Sequence, residues 1–208
     1  MPTYPLTFPD ITPRGASFRL VRSVASSQSP FTLRQQVYQN AGARFEGNLE
    51  FPPLTRAQAT ELQAFFDELY GQFGTFLYGD PNYLVNGARG VASGSPLVAG
   101  GSQTGDTLDV DGLGNNITGW LLKGDYIQLG TGTSSELYRV QSDVDTNGSG
   151  EATITLHRNL TSSPSDNAAV VVDGAKGLFR MASNVVDFSV GEAQFYSTNF
   201  AFVEAVSG

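Results

Sequence analysis

Apolar and polar residues alternate along the first fifty positions. Over 17–24, Phe18, Leu20 and Val24 stand against Arg19 and Arg22, an imperfect two-residue period that predicts a strand. Phe31, Leu33, Val37 and Tyr38 predict a second strand over 31–38, and Phe45, Leu49 and Phe51 a third over 43–51. Asn40-Ala41-Gly42 between them has the composition of a turn, so a hairpin is expected there. The period then changes. Leu62, Phe65, Phe66, Leu69 and Phe73 recur at spacings of three and four, the single apolar stripe of a helix. Thr55-Arg56-Ala57-Gln58 matches a capping box at its start, and Gly71 and Gly74 bracket its end. A stripe this wide and aromatic predicts a helix docked on a sheet, a core feature and not a ligand site. A short strand, Thr75-Phe76-Leu77-Tyr78, follows it.

From Gly79-Asp80-Pro81 to about Gly105 the chain is dominated by Gly, Ser, Asn and Pro, which reads as a junction or a functional loop. Short strands are then predicted at 107–110, 119–123, 125–129, 136–141, 152–157 and 168–172, each bounded by turn residues, the spacing of a small barrel or sandwich. Strands at 178–181, 185–190 and 194–203 resume the style of the beginning. The expected fold is therefore mainly β. Residues 1–85 and 175–208 form a discontinuous β-sandwich with one α-helix, and 86–174 form an inserted small β-barrel or sandwich domain.

Composition sharpens this picture in two ways. Charged residues are only 15% of the chain, well under the roughly 25% of an average globular protein. With 24 glycines, that suits a surface made of turns, uncharged polar groups and contacts to other subunits. The net charge of −8 is also unevenly spread. Residues 1–56 hold six arginines against Asp10, Glu46 and Glu50, a net +3, and the remainder is acidic. An acidic body repels phosphate, so nucleic-acid binding is not expected; the asymmetry suits head-to-tail contacts between unlike faces. The absence of cysteine excludes disulfides and thiolate chemistry and fits assembly in a reducing cytoplasm. Met1-Pro2-Thr3-Tyr4-Pro5 has no basic start, and no apolar run reaches membrane-spanning length, so neither a signal segment nor membrane insertion is expected.

Candidate chemistry is sparse. Asp143-Val144-Asp145-Thr146-Asn147-Gly148 matches the opening of a Ca²⁺ loop, with Asp143, Asp145 and Asn147 as ligands. Ile154 stands where the bidentate Glu belongs and the flanks read as strands, so the ordinary reading is a hairpin turn. Asp109 and Asp111 share a strand face and could pair as carboxylates, but in a Gly-rich polar loop nothing separates their pKa values. His157, the single histidine, has no Gly-x-Ser-x-Gly elbow to serve. Trp120, Tyr126 and Tyr138 would make an aromatic platform for sugar, set against a plainer reading as barrel core. No catalytic residue, cofactor or metal is assigned.

The run Phe45-Glu46-Gly47-Asn48-Leu49-Glu50-Phe51-Pro52-Pro53-Leu54-Thr55-Arg56-Ala57-Gln58-Ala59, with Gly74-Thr75-Phe76-Leu77-Tyr78-Gly79-Asp80-Pro81 after the helix, resembles the distal and minor tail proteins of siphophages and related prophages. Gly105-Asp106-Thr107-Leu108, Lys123-Gly124-Asp125-Tyr126-Ile127-Gln128-Leu129, Leu137-Tyr138-Arg139-Val140 and Gly177-Leu178-Phe179-Arg180-Met181 extend the resemblance to about 43–182. The chain lacks the Trp that the family often carries near Phe45. The resemblance implies a structural, non-catalytic subunit of a phage tail tip. It would form a homo-oligomer, a hexameric ring, joining the tail tube protein to the hub and tip proteins. It would be assembled in the bacterial host cytoplasm and carried in the virion, with the insertion projecting outward. A carbohydrate-binding, receptor-adhesion module is the alternative.

Overall fold

The computed structural model describes residues 2–191 and 194–206. Met1, Ser207 and Gly208, at the ends of the expected outer segments, and Glu192 and Ala193 lie outside the described residues.

The chain opens with β1 (Leu6–Thr7), β2 (Gly15–Gln28) and β3 (Gln35–Glu50). Helix α1 (Arg56–Leu69) starts as its sequence predicts: Thr55 accepts from the Gln58 N–H, and the Gln58 side chain answers the Thr55 N–H at 3.1 Å. It ends where Tyr70 enters the left-handed region and the Gly74 N–H reaches the Leu69 carbonyl at 2.7 Å. Leu62, Phe65, Phe66 and Leu69 are buried, but Phe73 lies past the helix end and is exposed. Next come β4 (Phe76–Tyr78) and a short helix α2 (Pro81–Asn86), where an irregular stretch was expected. The signal was local: Asp80 accepts from the N–H groups of Asn82 and Tyr83, and Pro81 fills the first helical position, where no N–H is needed.

Strands β5 (Gly94–Val98), β6 (Thr107–Leu113), β7 (Tyr126–Leu129), β8 (Glu136–Arg139), β9 (Ala152–Thr155) and β10 (Val170–Val171) form two three-stranded antiparallel sheets, β10-β7-β8 and β5-β6-β9. Pairing of Val140 with Leu156 and of Leu97 with Ala169 joins these sheets at both margins, so the six strands close into a small barrel. Trp120, Ile127, Tyr138, Val140, Ile154 and their neighbours fill it. The strand expected at 119–123 is instead a turn-rich segment. Three of its N–H groups go to carboxylates, Gly119 to Asp145 at 2.7 Å, Leu122 to Asp125 and Lys123 to Asp143, both at 2.8 Å, and Leu121 makes an isolated bridge with Val144.

The chain then returns as β11 (Gly177–Met181), β12 (Phe188–Val190) and β13 (Tyr196–Glu204). These complete one seven-stranded sheet in the order β1-β4-β11-β13-β3-β2, with β12 beside β13. The mainly β expectation holds. Phe45, Leu49, Phe76, Phe179, Phe200 and Phe202 make the buried face of this sheet. The layer over it is α1 at one end and the barrel wall at the other, rather than a second host sheet. Phe66 lies 4.8 Å from Phe200, and Tyr126 of the barrel lies 5.9 Å from Phe45.

Candidate functional site

Polar contacts lock the barrel to the sheet and to α2. Arg158, just past β9, forms a bidentate pair with Glu204 at the end of β13, Nη2 to Oε1 at 2.6 Å and Nη1 to Oε2 at 3.0 Å. The same Nη1 donates to the Ala43 carbonyl, and Glu204 also accepts the Phe45 N–H at 2.8 Å. Arg22 of β2 donates to the His157 carbonyl at 2.9 Å. Tyr83 of α2 sets its hydroxyl between the carbonyls of Tyr126 and Val172. The β2–β3–β13 side of the outer sheet and the helix α2 are thereby fixed to the insertion.

His157 sits inside this junction. Its Nδ1 accepts the Arg139 N–H at 3.0 Å, and its ring lies 4.8 Å from Phe45. Burial first, then the positive fields of Arg158, Arg139 and Arg22, push its pKa down to about 3. A base held this far down stays neutral and takes up no proton near pH 7. It has a consequence for folding, because below its ordinary value of 6.5 the unfolded chain binds a proton that the folded one refuses. Stability from this group is therefore complete above pH 6.5 and drains away as pH falls toward 3, by about 1.4 kcal/mol per pH unit. Urea unfolding of wild type and His157→Gln between pH 6.5 and 5 is expected to show this slope in the wild type and its loss in the variant. Equal slopes would mean that the ring is hydrated. The comparison isolates His157, since Glu204, whose pKa is raised chiefly by burial, acts in the opposite sense.

The other candidates are scattered. Asp143 and Asp145 each hold a separate backbone N–H, and Asn147 Oδ1 accepts from Ser149 and Glu151 at 2.8 and 3.0 Å. The oxygens that a cation loop would aim inward are thus spent on turn geometry. No cluster of three His, Asp or Glu side chains suited to a metal occurs among the described residues. Asp109 and Asp111 lie on the solvent side of β6, where Asp109 accepts from the Thr153 hydroxyl at 2.6 Å. Trp120, Tyr126 and Tyr138 are buried and divided between the two cores, so they present no ring face to a sugar. The Trp120 indole N–H donates to the Ser93 carbonyl at 2.8 Å.

The prominent surface feature is one that the sequence reading divided wrongly. The segments at 31–38 and 43–51 are not two strands around a turn at Asn40-Ala41-Gly42. Residues 35–50 are one strand, and those three residues form a bulge opposite Ser23 alone, with the Asn40 amide donating to the Ser23 hydroxyl at 3.1 Å. The turn lies instead at residues 29–34. There the Ser29 N–H donates to the Arg34 carbonyl at 3.0 Å, the Leu33 N–H donates back to Ser29, and Leu33 adopts φ 56°.

Strand β13 pairs with β3 only over Glu46–Glu50, and beyond the bulge no described strand flanks β2 or β3. The result is a two-stranded arm reaching about 20 Å past Arg22, at about 3.4 Å per residue. Val24, Phe31, Leu33, Val37 and Tyr38 are exposed on it, Phe31 at 94%. Its only charges between residues 21 and 43 are Arg22 and Arg34. A two-stranded ribbon in water is marginally stable, and both of its edges offer unpaired N–H and C=O groups. Apolar periodicity without charge alternation over 31–38 was the sequence signal for it.

No protein-family model matches this chain, and no curated protein matches it in sequence.

Proposed function

We propose that this chain is a structural, non-catalytic subunit that assembles with copies of itself into a ring. The resemblance of 43–182 to siphophage distal and minor tail proteins makes a tail-tip ring between the tube and the hub the specific reading, with the virion as its place. The observation that carries the ring is the arm of β2 and β3. It is a long, nearly uncharged ribbon with bare edges and an apolar tip, a surface suited to another protein and costly to leave in water. The net +3 of residues 1–56 against the acidic remainder supports contact between unlike faces, the kind that closes into rings. The alternative, a sugar-binding module, rests on Trp120, Tyr126 and Tyr138, which are buried.

Light scattering across a concentration series, with negative-stain images of the same peak, tests this. Six copies of the 22.1 kDa chain give about 133 kDa, and ring-shaped particles at that mass are the expected result. A monomer at every concentration, both alone and with tail-tube protein added, would sink the proposal.

A further inference from the structure

The arm needs a receiving surface, and the clefts of the molecule differ in charge. The groove at the arm's own base, about 590 Å³, is lined by Arg22, Arg44 and Arg158, so it repels a basic visitor. The groove beside β1 and α2 carries Arg14 and Lys176 against Asp10. A third groove, about 510 Å³, runs between the last turn of α1 and the segment 184–188. Phe66, Met181, Val186 and Phe188 form its floor, with Asp67 and Val185 on its rim. It is lined by an acidic residue and by no basic one. Asp187 is exposed beside it, and the last turn of α1 carries no basic residue; Arg180 reaches the Gln72 carbonyl just past the helix end at 3.5 Å, outside the groove lining. Val185 and Tyr70, both exposed, extend its apolar character to the surface.

The arm tip is the chemical complement of this groove. Phe31 and Leu33 project from it with Arg34 beside them, and no acidic residue lies between 21 and 43. The tip is also held in shape. Leu33 sits in the left-handed region, where a bulky side chain is uncommon. Ser29 accepts the Thr32 N–H through its hydroxyl, and the Gln28 amide donates to the Leu33 carbonyl at 3.3 Å. A conformation that costs energy while presenting two apolar side chains to water fits a preformed plug. We infer that the arm tip of one copy, Phe31, Leu33 and Arg34, docks in the groove of a second copy between the end of α1 and residues 184–188, with Arg34 facing Asp67. This rests on the ring reading and names the contact that would close it. Tip and groove are different patches of one chain, so each copy gives one and receives one, and the contact propagates head to tail.

Since the chain has no cysteine, a disulfide between Leu33→Cys and Val185→Cys would report this contact alone. Mixing the two single variants under mild oxidation is expected to give a mixed dimer, and the double variant a ladder ending at the ring. Separately, Arg34→Glu and Asp67→Arg each set like charges against one another and are expected to weaken self-association at least about tenfold, and the combined reversal to restore it. Glu151→Arg, on the barrel, serves as a control with no effect. Full rings that neither cross-link nor respond to either charge reversal would overturn the docking and leave the ring standing. A disulfide of Leu33→Cys with itself would show tip-to-tip pairing and also overturn it. A wild type that stays monomeric with tube protein present removes both the ring and the contact.

Discussion

Arg158→Ala is expected to destabilise the protein by about 3–5 kcal/mol, the range for breaking one side of a buried ion pair. The guanidinium and the Glu204 carboxylate are 6% and 4% exposed, so neither partner can recover hydration once the other is gone. The deletion would leave the buried Glu204 carboxylate with the Phe45 N–H as its remaining donor and the Ala43 carbonyl without its own. Burial already raises the Glu204 pKa against the lowering effect of Arg158, and removing Arg158 raises it further. A carboxyl whose folded pKa exceeds its unfolded one weakens the fold as pH climbs above the unfolded value. The deficit of Arg158→Ala is therefore expected to be larger at pH 7 than at pH 5, because acid favours the neutral carboxyl. The double variant Arg158→Met/Glu204→Leu should recover most of the loss, because no lone charge remains. Urea midpoints of all three proteins at both pH values check this. A loss under about 1 kcal/mol for Arg158→Ala would mean that water enters the junction.

Phe202→Ala is expected to cost about 3–5 kcal/mol, as large-to-small changes in a rigid aromatic core do. Its ring lies within 5.2 to 6.3 Å of Phe179, Tyr78, Phe200, Phe76 and Phe18, so the neighbours brace one another and collapse little into the space. The same ring explains Gly47. That residue pairs with Phe202 on one side and Phe18 on the other, and a Cβ there would meet Phe202 Cε1 and the Ser17 carbonyl, each at 2.8 Å. The backbone of Gly47 is ordinary strand, so the restriction is one of space alone. Gly47→Ala is expected to cost about 1–3 kcal/mol by overpacking. The two changes share one volume, so the double variant should fall short of their sum by about 1 kcal/mol. Additive losses would place the strain of Gly47→Ala at Ser17 instead.

How far the sequence carries the fold depends on whether the deciding contacts are local. Thr55 and Gln58 lie three residues apart and Leu62 to Leu69 share one face, so α1 is legible from the chain alone. Asp80 and Pro81 carried an equally local signal, hidden by the glycine-rich context around them. The arm defeats local reading for a definite reason. Asn40-Ala41-Gly42 has turn composition but answers to Ser23 on the partner strand, while the real turn puts Leu33 where a glycine or asparagine is ordinary. At 119–123 the apolar residues suggest a strand, yet Asp125, Asp143 and Asp145 take the N–H groups on either side of Leu121, so its pairing with Val144 stays a single bridge. Glu204 stands 46 residues from Arg158, and no pattern in the chain announces their pairing. The aromatic trio failed as a platform because composition cannot tell an exposed ring from a buried one.

The strand order of the large sheet also dictates when it can close. Strands β11 and β13 lie between β4 and β3, yet they leave the ribosome only after the whole barrel. About 100 residues separate β4 from β11, which at roughly 5–20 residues per second is about 5–20 s of translation. During that interval the nascent chain holds two unfinished sheet edges flanking a gap, while the barrel has time to pack its own interior. Glu204, at the end of β13, then reaches back to Arg158 and ties the late strands to the barrel. A ribosome that stalls inside the barrel thus releases a chain whose outer sheet lacks its middle, with Phe45, Leu49 and Phe76 uncovered for proteases and chaperones to find.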